Sequence, residues 1–159
     1  MRRLAGALGA ALLALLATGG VSASPAAAGV DGIAVTVDRT RVDTVVGGRF
    51  VLRTRLSNDG DRATGPLMAH LNVASLTSDV YVDPEDWSTQ RSQWVDSLAP
   101  GETQQLTWQL QAVNQGSFDA YVVLLPTEGP DPSTPLTVSR SVSVGVAGRQ
   151  TLSASGALP

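Results

Sequence analysis

Two stretches of this chain alternate apolar and polar residues with a period of two. From Arg49 to Ser57, Phe50, Leu52, Thr54 and Leu56 fall on one side, with Arg53, Arg55 and Ser57 on the other. From Gln105 to Val113, Leu106, Trp108, Leu110 and Ala112 oppose Gln105, Thr107, Gln109 and Gln111. Successive side chains of a strand point to opposite faces, so this pattern predicts half-buried antiparallel strands with one face in a core. Trp108, between Leu106 and Leu110, is expected in that core. Shorter strand-like runs surround these two: Ile33–Asp38, Val42–Val46, Leu67–Val73, Val80–Val82, Trp94–Leu98, Phe118–Leu125 and Leu136–Val146. Phe118–Leu125 is apolar on both faces, as a central strand would be. In the last run Val138, Val142, Val144 and Val146 are read as one inward face. Gly47-Gly48, Asn58-Asp59-Gly60-Asp61, Leu98-Ala99-Pro100-Gly101-Glu102 and Asn114-Gln115-Gly116 supply turn chemistry between runs. Glu128–Pro135, with three prolines, cannot be a central strand. No stretch after residue 28 carries a helical apolar period. Seven or eight short strands at this spacing predict an all-β chain, a single antiparallel β-sandwich over residues 29–146.

The first 28 residues follow another pattern. Arg2-Arg3 precede an apolar run of about 14 residues, Leu4–Ala17, and small residues follow at Val21-Ser22-Ala23 and Ala26-Ala27-Ala28. This is the layout of a secretory signal peptide, too short for the ~20 residues that span a bilayer. Cleavage after Ala23 or after Ala28 and retention as an anchor all remain open. The segment predicts a secreted or cell-envelope protein. Removing 23 or 28 of 159 residues leaves 136 or 131, enough for one domain with its own core. Arg2 and Arg3 would leave too, so 9 basic residues against 14 acids turn a net charge of −3 into −5. An acidic chain without a basic patch is not expected to bind nucleic acid, because phosphate neutralisation supplies most of that affinity. The basic residues are all Arg, a composition attributed to a GC-rich genome. Cysteine is absent, which excludes thiol nucleophiles, Cys-based zinc sites and iron–sulfur clusters. Residues 147–159, rich in Gly, Ser and Ala, read as a flexible tail.

Four segments of the strand pattern carry a family likeness. They are the Gly47-Gly48-Arg49-Phe50 opening, the step into Asn58-Asp59-Gly60, Leu98-Ala99-Pro100-Gly101-Glu102 before a Trp-bearing strand, and Gly116-Ser117-Phe118-Asp119-Ala120-Tyr121. Gly47–Val146 resembles bacterial extracellular immunoglobulin-like modules of the CARDB and NEW3 type. The resemblance implies an immunoglobulin-like sandwich and roles in adhesion, spacing or carbohydrate association. Tyr81–Ser88 lies outside the general module pattern.

Few residues offer chemistry. A Ser-His-Asp nucleophile needs a histidine base, and the single histidine, His70, sits at outward parity in its strand without a Gly-x-Ser-x-Gly elbow. No enzyme is therefore expected. The segment 79–94 is the denser candidate, with Tyr81, Asp83, Glu85, Asp86, Trp87 and Trp94 as its binding residues. Tryptophan is enriched at binding hot spots, and exposed aromatic rings also stack on sugars. Three readings follow. The first is a protein–protein contact through the loop. The second is a carbohydrate-binding module using exposed Trp87 and Trp94, its partner an envelope polysaccharide. The third is a Ca²⁺-stabilised module drawing on Asp79, Asp83, Glu85 and Asp86, oxygen donors suited to a hard cation. No other cofactor or metal is expected. The plain alternatives are that both tryptophans close the open end of the sandwich, and that Pro84 with Asp83 or Asp86 starts a capped helical turn before Trp87.

Overall fold

The alternating runs become strands in the computed structural model, which describes residues 32–127 and 137–149. The first 28 residues, read above as a signal peptide, Glu128–Pro135 and the residues beyond 149 lie outside the described residues. The strands are β1 (Ile33–Val37), β2 (Arg41–Val45), β3 (Arg49–Asn58), β4 (Leu67–Ser75), β5 (Ser92–Val95), β6 (Thr103–Gln111), β7 (Gly116–Pro126), β8 (Thr137–Val138) and β9 (Val142–Ala147). One helical turn, α1 (Pro84–Trp87), stands between β4 and β5.

Two sheets face each other as a sandwich. The smaller has the order β1-β3-β6; the larger runs β2-β9-β7-β4-β5, with β8 beside β7. The predicted parity holds in β3 and β6: Leu52, Thr54, Leu56, Leu106, Trp108 and Leu110 are buried, and the arginines and glutamines between them lie toward solvent. Leu67, Ala69, Leu71 and Val73 of β4 and Phe118, Ala120, Val122 and Leu124 of β7 supply the opposing layer. β7 lies between β9 and β4, the central position its two apolar faces predict. Two polar groups inside this core are satisfied by each other, because Trp108 Nε1 donates to Thr54 Oγ1 at 2.8 Å.

The turns follow their residue chemistry. Glu102 N–H donates to Ala99 O at 2.9 Å, and Gly101 at φ 77° supplies the left-handed conformation that a type II turn needs after Pro100. Asn58 acts differently. No non-glycine residue among those described has positive φ, and Asn58 instead uses its buried side chain. Its Nδ2 donates to Arg62 O (2.7 Å) and Leu98 O (2.9 Å), and its Oδ1 accepts from Gly60 N–H (3.1 Å). One residue thereby joins the turn after β3 to the turn before β6.

Three expectations change. Val80–Val82 is not a strand: Val80 N–H donates back to Thr77 O at 3.2 Å, which turns the backbone away from any sheet edge. The Leu136–Val146 run breaks around Ser139, whose hydroxyl accepts from Val122 N–H at 2.9 Å. The break reverses the parity, so Thr137 is buried and Val138 faces solvent, whereas Val142, Val144 and Val146 point inward as expected. Finally, β2 pairs with β9 in parallel while the other strand pairs are antiparallel. The chain passes from the smaller sheet to the larger between β1 and β2 without a hairpin to reverse it.

Candidate functional site

The segment 79–94 folds as a capped turn followed by an edge strand. Asp83 Oδ1 accepts from Glu85 N–H at 3.1 Å as the N-cap of α1, and Pro84 occupies the first turn, where its missing N–H costs nothing. Ser88 N–H closes the turn on Pro84 O at 3.2 Å. This geometry leaves Glu85 and Asp86 in solvent and sends Trp87 inward. Trp87 is only 1% exposed, and its ring centroid lies 4.7 Å from that of Phe118 at an interplanar angle of 59°. The expectation of an exposed Trp87 is thus corrected: the indole plugs the end of the sandwich, because a single helical turn carries it from the solvent side of Asp86 into the gap between the sheets. A stacking platform shared by Trp87 and Trp94 is not formed.

Two of the acidic residues have partners of their own. Asp83 caps the turn, and Glu85 Oε1 receives Arg91 Nη2 at 2.7 Å. Among the described residues, no three of His, Asp and Glu come together in a group that could hold a metal ion. His70 faces outward as expected, with Nδ1 2.8 Å from Ser92 Oγ.

Tyr81 and Trp94 are both exposed, at 83% and 69%, but they belong to different parts of the surface. Tyr81 lies in the loop after β4, where its carbonyl accepts from Asn114 Nδ2 at 3.2 Å. Trp94 pairs with Met68 near the start of β4. From Met68 to the end of that strand at Ser75 the separation is about 23 Å, at ~3.3 Å per residue.

Register gives Trp94 neighbours that sequence reasoning missed. Met68 is paired with Trp94 on one side and with Leu125 on the other, so these three side chains form one row across β5, β4 and β7. In the next outward row, Ser92, His70, Val123 and Val138 lie side by side on four strands. The outer face of the larger sheet therefore carries Trp94, Met68, Leu125, Val123 and Val138, all at least partly exposed. The one available signal was the second apolar face of Phe118–Leu125, which also fits a strand covered on both sides.

No protein-family model and no curated protein matches this sequence. Solved structures do resemble it. The CARDB domain of a Pyrococcus furiosus protein, crystallised in complex with di-metal ions, superimposes with a TM-score of 0.51 at 13% identity, over 74% of this chain and 94% of that one. The fold is a CARDB-type β-sandwich. The solution NMR structure of the same archaeal CARDB domain gives a TM-score of 0.49 at 15% identity, over 73% of this chain and 94% of that one. A human ASH/PapD-like domain gives 0.43 at 11% identity, over 91% of this chain and all of that one. The likeness is one of fold.

Proposed function

We propose that this CARDB-type chain is an exported, non-catalytic binding module of the cell envelope that meets a protein partner through the Trp94 end of the 79–94 segment. The observation that carries the reading is the exposure of Trp94 in register with Met68 and Leu125. An aromatic residue left in water beside other apolar side chains is the usual composition of an interaction surface. β5, which bears Trp94, ends the strand order of the larger sheet, so a partner can approach both the face and the backbone edge. The Arg-Arg and apolar pattern of the first 28 residues supports export. The outward position of His70, bonded to a serine on the outer sheet face, supports a binding role over catalysis.

The test is affinity capture from envelope fractions of the source organism with the full chain as bait. Trp94→Ala should lose the captured protein, and Trp94→Phe should retain it in part. Capture of the same protein in the same amount by Trp94→Ala would overturn the reading.

A further inference from the structure

A second feature lies on the side of the sandwich away from the Trp94 face. A cleft of about 400 Å³ opens between α1 and the smaller sheet, walled by Arg49, Gln109 and Gln111 on the strands and by Asp86, Trp87 and Thr89 on the turn. That volume falls within the range of about 300–1,000 Å³ typical of small-molecule sites. We propose that this cleft is a saccharide site that takes a neutral sugar residue.

The polar groups select that chemistry. Arg49 can only donate hydrogen bonds and the Asp86 carboxylate can only accept them, whereas Gln109 and Gln111 do both. An anion in the cleft would face Asp86, and a cation would face Arg49. A neutral polyol, whose hydroxyls donate and accept alike, can meet every one of these groups. Both charged side chains are also available. The Asp86 carboxylate has no hydrogen-bond or ion-pair partner among the described residues, and Arg49 makes one long contact, Nε to Gln111 Oε1 at 3.4 Å. That contact sets the guanidinium beside the Gln111 amide, so donors and an acceptor lie next to each other on one wall. Phe50, half-buried, also lines the cleft and offers apolar surface to the C–H face of a sugar ring.

The wall holds one further anomaly. Trp87 Nε1 is buried and has no hydrogen-bond partner among the described residues. Buried donors are rarely left so, and an unmade hydrogen bond inside a binding wall is a reason to look for an acceptor that arrives with a ligand. The proposal does not rest on the Trp94 reading, since it uses β3, β6 and α1 and no residue of the other face.

The experiment reads the three tryptophan indole N–H resonances of the isotope-labelled full chain. The probes are glucose, galactose, mannose, N-acetylglucosamine and their β-linked disaccharides, each raised to its solubility limit, with sodium acetate and sodium glucuronate as anionic controls. At least one neutral sugar should move the Trp87 resonance saturably while that of Trp108, held by Thr54, stays in place. Asp86→Asn and Arg49→Gln should each weaken that sugar at least about tenfold, as expected for the loss of a charged hydrogen-bonding group. The proposal is overturned if no sugar moves Trp87, if only Trp94 responds, if acetate or glucuronate binds as well as the neutral sugar, or if both variants retain full affinity.

Discussion

Replacing Asn58 by alanine tests the joint between the two turns at one end of the sandwich. Asn58 is 1% exposed, and its amide makes three side-chain hydrogen bonds: to Arg62 O, to Leu98 O and from Gly60 N–H. Its backbone bonds, Asn58 N–H to Glu102 O and Gly101 N–H to Asn58 O, survive the change. Each lost bond contributes about 1 ± 0.5 kcal/mol net, so Asn58→Ala should cost about 3 kcal/mol, within a range of about 1.5–4.5. For a chain of this length that corresponds to a fall in Tm of about 6–12 °C, at roughly 2–4 °C per kcal/mol. Urea unfolding followed by tryptophan fluorescence would measure it, and an unchanged denaturant slope would show that both states keep their compactness. Asn58→Asp supplies the control. It keeps the shape, removes both donors and sets carboxylate oxygen against two carbonyl oxygens. The folded state then favours the protonated acid, so the folded pKa lies above the unfolded value of about 3.9. The penalty should be small below about pH 3.9, grow as pH rises from there toward the folded pKa, and level off above it. A loss below about 1 kcal/mol for Asn58→Ala at constant slope would refute the joint.

Thr54→Val keeps the shape of its site and orphans the Trp108 indole; chemical denaturation should show a net loss of about 1–2 kcal/mol, the missing hydrogen bond offset in part by the added methyl. Trp87→Ala should cost about 3–5 kcal/mol by opening a cavity, and Trp94→Ala should stay within about 0.5 kcal/mol of the parent; thermal melts that rank them the other way would contradict their burial. Burial pushes the Asp38 carboxyl up, yet hydrogen bonds from the Arg39 guanidinium and the Arg53 amide, with both arginine charges, hold it below its ordinary 3.8. Its contribution is therefore present above that pH and is lost as pH falls through the folded pKa. Asp38→Asn should be less stable than the parent at pH 7, and acid titration should show the two converging below about pH 4.

The parts of this fold legible in the sequence are those that neighbours in the chain decide. The alternation in Arg49–Ser57 and Gln105–Val113 sorts each side chain to a face, and burying one of those faces leaves a sandwich as the economical solution. Pro100-Gly101 carries its turn within four residues. Asp83-Pro84 carries the cap of α1 in the same way. The expected helical turn before Trp87 and the core position of Trp108 follow from such local rules.

The candidate sites depend on residues far apart in the chain. Leu125 and Trp94 are 31 positions apart yet share a row through Met68, and only strand register places them together. The step at Ser139 sends Val138 to the same face because a hydroxyl bonds Val122 across the sheet, a contact that strand parity cannot anticipate. Trp87 and Trp94, seven residues apart, separate into core plug and exposed ring because α1 rotates one inward while the pleat of β5 turns the other out. The sequence alone determined which residues favour strand, turn and cap, since those preferences arise from backbone dihedrals and side-chain alternation. The tertiary structure alone decided which surface residues are neighbours, since register and sheet packing set distances that no local preference encodes.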